Sequence, residues 1–172
     1  MQPYEFYVLI ALVVAEMALL GFWAPAYFRY GIPIFRVRVP ALTGLPPGTE
    51  ERLETEFSGG SATQPLLFRQ LSASEIAFRE SLQGPAWFRY APIMHGLICH
   101  VPEEGAVHVI GWMNLFPVGL VCFLVWNLWS PPLLYLVIFF AFAGAGYAIQ
   151  FYRFRKVAEL LAAPAAVTGF SS

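Results

Sequence analysis

The sequence contains no aspartate, a single lysine and two cysteines, and charged residues make up only 12% of its 172 residues. The absence of aspartate excludes aspartate pairs, aspartate-based triads and aspartate-held magnesium sites. Cys99 and Cys122 are too few for a disulfide framework. Ten basic and 11 acidic residues give a net charge of −1. No global positive field results, so no nucleic-acid partner is expected.

Apolar residues are in excess, since 58% of the chain is hydrophobic, 17% is aromatic and the mean hydropathy is +0.61. A typical soluble domain is about half apolar and about a quarter charged. A chain of 172 residues cannot bury such a surplus in one core. The composition therefore predicts an α-helical integral membrane protein.

Three apolar windows have the ~20 residues that a bilayer-spanning helix needs. They cover 4–24, 107–128 and 132–151. We predict three transmembrane helices, the first within 1–26 and the other two forming a helical hairpin over 107–152. No Lys or Arg precedes the first window, so a retained helix is expected instead of a cleaved signal peptide.

The orientation follows from basic residues, which accumulate on the cytoplasmic side of membrane proteins. Such residues follow the first and third windows, and none lies at the N-terminus or in the turn at 129–131. We therefore predict a multi-pass protein of a bacterial inner membrane with its N-terminus outside. The insert 27–106 and the tail 153–172 are predicted to be cytoplasmic. The basic residues concerned are Arg29, Arg36, Arg38, Arg153, Arg155 and Lys156.

We predict that the insert 27–106 forms a small α+β domain with mostly antiparallel strands. Alternation of Val and Arg over 30–39 predicts a strand with one polar face. An acidic helix is expected over 49–57, with Thr49 as its N-cap. Segment 74–81 is interpreted as a strand, although a capping box from Ser72 to Glu75 leaves a helix as the alternative.

A β-hairpin is predicted from 93–101 and 106–112, joined by a loop that ends in glycine. In this register Cys99 lies opposite His108. His95 shares a strand face with Cys99. These three residues are the candidate metal ligands, but they lack the tight repeat of a zinc site, so no metal site is predicted.

A six-residue pattern occurs twice, as Pro-Ala-Tyr-Phe-Arg-Tyr at 25–30 and as Pro-Ala-Trp-Phe-Arg-Tyr at 85–90. Strand alternation of buried Phe with exposed Arg is one explanation. The other is that rings insert at the membrane interface while guanidinium groups meet phosphates. The residues predicted at the membrane interface are Trp23, Tyr27, Phe28, Arg29, Trp87, Phe88, Arg89, Trp112, Trp126, Trp129, Arg153 and Arg155.

Glu16 is the one charged residue in the interior of the three windows, since Glu5 lies at the start of the first window. A proton or ion relay is one interpretation, but a relay needs a chain of titratable groups, and the other two windows contain no Asp, Glu, Lys or Arg. A hydrogen bond to Asn114, to Asn127 or to a neighbouring subunit is the favoured interpretation.

Small residues recur at helical spacing in the first and third windows, a pattern that allows close contact between helices. We predict that these residues contact another helix or another chain. They are Ala11, Ala15 and Ala18 in the first window, and Ala141, Gly144, Ala145 and Ala148 in the third.

These features predict a non-catalytic accessory subunit of a larger membrane protein complex, with a photosynthetic or respiratory complex as its commonest home. Its expected partners are other membrane protein subunits and lipids. No catalytic residue and no cofactor is predicted, beyond peripheral pigment or lipid contacts. The alternatives are an oligomeric ion, proton or transport pathway that uses Glu16, and a small membrane metal-binding protein or enzyme built on the hairpin of His95 and His108.

Overall fold

The computed structural model describes residues 3–40, 44–58, 65–81, 93–127 and 133–163. Five α-helices, five strands and a short 3-10 helix (Pro102–Glu104) are formed in these segments. The helices are α1 (Pro3–Gly21), α2 (Pro25–Arg29), α3 (Thr49–Ser58), α4 (Leu115–Asn127) and α5 (Leu133–Ala162), and the strands are β1 (Pro33–Pro40), β2 (Leu66–Ser72), β3 (Glu75–Glu80), β4 (Met94–Val101) and β5 (Ala106–Met113).

The five strands form one antiparallel sheet in the order β1-β5-β4-β3-β2. The predicted hairpin is confirmed, because β4 pairs with β5 and Cys99 lies opposite His108. Gly105 ends the connecting turn with a φ of 56°, a left-handed conformation that glycine adopts without strain. The strand alternative for the segment after Ser72 is also confirmed, since β3 begins at Glu75.

The hydrophobic core lies between one face of the sheet and the helices α3 and α5. Phe78 on β3 is fully buried there, together with Leu53 of α3 and Phe154 of α5. The opposite face of the sheet is partly covered by the end of α1 and by α2, where Leu20 and Phe28 pack near Ala77.

The predicted membrane architecture is wrong. Within the segments that the structure describes, no helix combines the length and the apolar character needed to cross a membrane. This finding contradicts the three transmembrane helices, the multi-pass inner-membrane location and the outside and cytoplasmic assignments made from it.

The second and third windows, 107–128 and 132–151, do not form the two transmembrane helices that were expected. Residues 107–113 belong to β5, which pairs with β1 on one side and β4 on the other. The helix that follows, α4, has only 13 residues. The third window forms the first part of a longer helix, α5, whose last turns pack Val157 and Ala158 into the core under the sheet. Part of the apolar surplus therefore fills the interior of the α+β fold.

Candidate functional site

Glu16 caps helix α4. Its side chain is only 4% exposed, and its carboxylate accepts hydrogen bonds from the Tyr27 hydroxyl and from the backbone amides of Leu115 and Phe116. The first amides of a helix lack partners inside that helix, and the helix dipole favours a negative charge at this end. Glu16 therefore joins α1 to α4 by satisfying these amides.

Tyr27 is held as a neutral phenol beside this carboxylate. Burial raises the pKa of Tyr27 far above its ordinary value, and the hydrogen bond to Glu16 and the charge of Glu16 raise it further. A proton relay needs a group that gives up its proton in the working pH range. The arrangement of Glu16 and Tyr27 therefore fits a fixed structural hydrogen bond better than a relay.

His95 on β4 connects the same network to the sheet. It is 1% exposed, and its ring nitrogens lie 2.7 Å from Asn114 Oδ1 and 3.1 Å from the Tyr27 carbonyl oxygen. Its ring stacks on Tyr27 with centroids 4.3 Å apart. Burial lowers the pKa of His95. A neutral ring donates from Nε2 to the Tyr27 carbonyl oxygen, and Nδ1 lies against the side-chain amide of Asn114. A metal ion would have to displace one of these contacts.

A row of polar side chains crosses the other part of the same sheet face. Arg38, His108, Cys99 and Glu75 are successive neighbours in the register of β1, β5, β4 and β3. The Arg36 Nε–H donates to His108 Nδ1 at 3.3 Å. His108 Nε2 lies 2.9 Å from a carboxylate oxygen of Glu104. In these two contacts the His108 Nδ1 atom accepts from Arg36, and the His108 Nε2–H donates to Glu104.

The Cys99 thiol beside His108 is not activated. Burial raises the pKa of this thiol, and the negative charge of Glu75 raises it further. A thiolate is the reactive form of cysteine. In the described segments, no group of three or more His, Cys or Glu side chains is placed to hold a metal ion. The fold thus pairs Cys99 with His108 but keeps His95 in a separate hydrogen-bond network.

Several aromatic and arginine side chains predicted at a membrane interface contact the protein itself. Phe28 is fully buried and stacks on Trp23, and Arg29 forms an ion pair of 2.7 Å with Glu75. Arg155 pairs with Glu159 on the surface of α5. Trp112 lies on β5. Trp87, Phe88, Arg89 and Trp129 lie outside the described residues, as do the side chains of Trp126 and Asn127.

Arg153 belongs to a buried cluster that joins α5 to the sheet. It forms an ion pair with Glu80 of β3, and Gln150 donates to the same carboxylate at 3.0 Å. The Gln150 carbonyl oxygen accepts from the amides of Ile93 and Met94. No role was predicted for Glu80 or Gln150 from the sequence. The sequence signal that could have indicated this cluster is a pair of polar residues, Gln150 and Arg153, one turn apart in an otherwise apolar helix.

Both predicted stripes of small residues lie on exposed helix faces. On α1, Ala11, Ala15 and Ala18 are exposed. On α5, Ala141, Gly144, Ala145 and Ala148 are exposed as well, and a Cβ on Gly144 would meet no atom within 4 Å. Large exposed apolar side chains accompany both stripes. They are Tyr7 and Val14 on α1, Phe22 directly after α1, and Phe140, Phe142, Phe151 and Tyr152 on α5.

An open cavity of about 530 Å³ adjoins the stripe on α5. Its walls are mainly Phe57 of α3 with Ala148, Ile149 and Tyr152 of α5. At its rim Lys156 pairs with Glu56 at 3.0 Å. This rim pair neutralises both charges, so the cavity offers an apolar interior to a side chain that enters from outside.

Comparisons with models of protein families, with curated proteins and with solved structures found no match to this chain.

Proposed function

We propose that this protein is a non-catalytic subunit of a multichain assembly, and that the exposed faces of α1 and α5 bind other protein chains. The observation that carries the proposal is the exposure of large apolar side chains on these helices, including Phe140 at 59% and Tyr152 at 71%. Several large apolar side chains left exposed on one helix are a feature of binding surfaces.

The titratable groups support a structural role. Glu16, His95 and His108 each use their polar atoms in hydrogen bonds within the fold. The Cys99 thiol is held in its protonated form by the causes that raise its pKa. A catalytic group needs a free acceptor or donor that reaches a substrate. The proposal therefore assigns these groups to holding α1, α4 and the sheet together.

The small residues explain how another helix would approach. Alanine and glycine on a helix face allow a neighbouring backbone to come close, so that many side-chain contacts form at once. On α1 and α5 these residues are flanked by bulky side chains. Each face is therefore suited to an apolar helix of another protein chain.

The proposal is tested by the native mass of the full-length protein in an extract of its source cells. We expect an assembly heavier than the purified protein, and a loss of mass when Val14→Glu places a charge on the α1 face. Ala145→Glu is expected to have the same kind of effect through α5. The matched control is Ala163→Glu, which adds the same charge at an exposed residue beyond the end of α5.

The proposal fails if the protein in the extract has the same mass as the purified protein and neither substitution changes it. Far-UV circular dichroism of each variant shows whether the fold is retained, so that a loss of assembly is not confused with unfolding.

A further inference from the structure

The outer edge of strand β1 is open. Among the strands of the described segments, β1 is the last in the sheet order and pairs only with β5. The Asn114 amide donates to the Ile93 carbonyl oxygen at 2.7 Å, and every second residue before Asn114 likewise directs its backbone groups towards β4. The alternate residues of β5, Val107, Val109 and Gly111, therefore direct theirs towards β1.

The same alternation determines which backbone groups of β1 are free. Phe35, Val37 and Val39 lie opposite these residues of β5 and bond to them. Arg36 and Arg38 lie between, so their N–H and C=O groups point away from the sheet. Within the part of the chain that the structure describes, these four groups have no hydrogen-bond partner. β1 therefore presents a short row of unpaired backbone donors and acceptors.

The opposite edge of the sheet is covered by side chains. The outward amides of β2 belong to Phe68 and Gln70, and both donate to carboxylates of α3. Proteins usually cover or charge the edges of their sheets, because an open edge pairs with other chains. Helix α3 thus closes one edge of this sheet, while the backbone groups of β1 stay available to another strand.

We propose that the β1 edge binds an extended segment of another protein, which adds a strand antiparallel to β1 and carries acidic residues opposite Arg36 and Arg38. Strand addition of this kind derives its affinity from backbone hydrogen bonds and its specificity from alternate side chains. The site lies outside the two helix faces of the proposed function. The proposal therefore goes beyond that function and can fail while that function stands.

The two arginines determine which charge the bound segment carries. Residues directly opposite each other in an antiparallel pair have their side chains on the same face of the sheet. The Arg38 side chain is 60% exposed and lies 3.7 Å from Glu104. Arg36 donates to the ring of His108 and forms no ion pair among the described residues. An acidic side chain opposite Arg36 would supply a carboxylate to this cation, whereas a basic one would be repelled.

The same charges disfavour a second copy of β1 as the added strand. An antiparallel pair of β1 strands centred on Val37 would place Arg36 of each copy directly opposite Arg38 of the other, and like charges in this position destabilise a strand pair. The free edge is also short. Pro40 has no N–H to donate, and the register is irregular next to Pro33, so the site is confined to the residues around Val37.

The other face of the added strand would meet aromatic side chains of α5. Tyr147 donates from its hydroxyl to the Ile34 carbonyl oxygen at 3.3 Å, which places its ring beside the β1 edge. The Phe151 ring contacts both Tyr147 and Phe35. Tyr147 and Phe151 are partly exposed, so an apolar residue of the added strand can pack on them. The bound segment is therefore expected to alternate acidic and apolar residues.

Titration calorimetry of the purified full chain with synthetic peptides tests the proposal. The probe has the length of β1, eight residues, alternates glutamate with valine and is capped at both ends. We expect this peptide to bind and a peptide of alternating lysine and valine not to bind. In the antiparallel pair the glutamate amides face β1. N-methylation of these amides is expected to weaken binding by about tenfold, whereas N-methylation of the valine amides is expected to leave it unchanged.

Hydrogen exchange locates the bound peptide. In the free protein the Arg36 and Arg38 amides are expected to exchange faster than the Val37 amide, and a saturating amount of peptide is expected to slow both by about tenfold. The Gln70 amide on the opposite edge is the control and should not change.

A matched pair of substitutions tests the role of charge. We expect Arg36→Gln to weaken peptide binding about fivefold. Arg69→Gln removes the same charge from an exposed residue of β2 and is expected to leave binding unchanged.

Absence of binding up to about 1 mM peptide would overturn the proposal, as would equal affinity for the acidic and basic peptides. A loss of binding on N-methylation of the valine amides instead of the glutamate amides would overturn the antiparallel orientation. Slow exchange of the Arg36 and Arg38 amides without peptide, at a rate that depends on protein concentration, would overturn the acidic segment in favour of a second copy. None of these outcomes alters the native mass in cell extract, which tests the proposed function separately.

Discussion

Gly96 and Phe78 show how one absent side chain sets the packing of the sheet. The two residues are paired across β3 and β4, and the Phe78 ring lies directly over Gly96. A Cβ on Gly96 would lie 2.1 Å from the nearest ring carbon, a distance that no rotamer of an added side chain can relieve. Phe78 in turn contacts Phe68 and Phe154, so it has no space to retreat.

We predict that Gly96→Ala lowers the free energy of unfolding by about 3 kcal/mol, because overpacking of a rigid core costs roughly this amount. Gly144→Ala is the matched control, since its added Cβ meets no atom within 4 Å. There the substitution is expected to stabilise α5 by about 0.5–1 kcal/mol through helix propensity. Urea unfolding of both variants measures the two effects. Equal stability of the two variants would contradict this account of the core.

The burial of His95 makes the stability of the folded protein depend on pH. Burial lowers the pKa of His95 in the folded state, so the unfolded chain binds a proton more readily, with a pKa of about 6.5. Stability is therefore greatest above this value and falls as the pH drops from about 6.5 towards the lowered pKa of the folded state.

We predict that urea unfolding at pH 5.5 shows a lower free energy of unfolding than at pH 7.5, and that His95→Gln reduces this difference. Glutamine keeps hydrogen-bonding atoms at the position but does not titrate. The same substitution at the partly exposed His100 serves as the control. An undiminished pH dependence in His95→Gln would show that His95 is not its source.

At the scale of elements, helix α4 depends on a residue that is distant in the chain. Its first two amides, from Leu115 and Phe116, donate to the carboxylate of Glu16 on α1. We predict that Glu16→Gln lowers the free energy of unfolding by about 1–3 kcal/mol, because an amide replaces a charged acceptor at a buried helix end.

Hydrogen exchange of the α4 amides measures this effect locally, and exchange is expected to accelerate first at Leu115 and Phe116. Glu103→Gln removes a carboxylate from an exposed residue and should leave α4 unchanged. Unaltered exchange in Glu16→Gln would mean that the cap does not stabilise α4.

Helix α3 protects one edge of the sheet. The carboxylates of Glu50 and Glu54 accept from the amides of Gln70 and Phe68 on the edge strand β2, each at 3.2 Å. Four residues of helix rise about 6 Å and two residues of strand about 6.6 Å, so the two spacings match. The acidic face of α3, seen in the sequence, thereby covers backbone groups that would otherwise pair with another strand.

Local signals were sufficient to predict some elements but not others. The hairpin was predictable because Gly105 marks its turn and two apolar runs flank it. Strand β5 was also assigned to a membrane window. His108 is buried on one face of this strand, and Val107 and Val109 are buried on the other. A strand covered on both faces loses the alternation that distinguishes it from an apolar helix. No prediction was made for the edge strand β2.

The partners of single residues were least predictable. Thr49 was expected to cap α3, but its hydroxyl donates to the Pro46 carbonyl oxygen at 2.6 Å. Glu16 was expected to form a hydrogen bond, yet its partners on α4 are about 100 positions away in the sequence. Such contacts depend on how elements meet in space. The face of α5 is different, because its spacing of small and large residues can be read directly from the sequence.

At the scale of the whole molecule, α5 joins the α+β core to an exposed apolar arm. Its 30 residues extend about 45 Å at ~1.5 Å per residue. The buried cluster of Gln150, Arg153 and Glu80 fixes the C-terminal part to the sheet. The exposed face of α5 from Ala141 to Tyr152 carries the small residues and the rings of the proposed interface. A rigid attachment of this kind would present the arm at a defined angle to its partners.

The central claim is that other protein chains cover this arm, and hydroxyl-radical footprinting of Tyr152 in a cell extract tests it most directly. Tyr152 is 71% exposed in the single chain. We predict that its oxidation in the assembled wild-type protein is at least fivefold slower than in the Ala145→Glu variant, with Tyr30, which is 75% exposed, as the internal reference. Equal oxidation of Tyr152 in the two proteins, at a rate similar to that of Tyr30, would contradict the account.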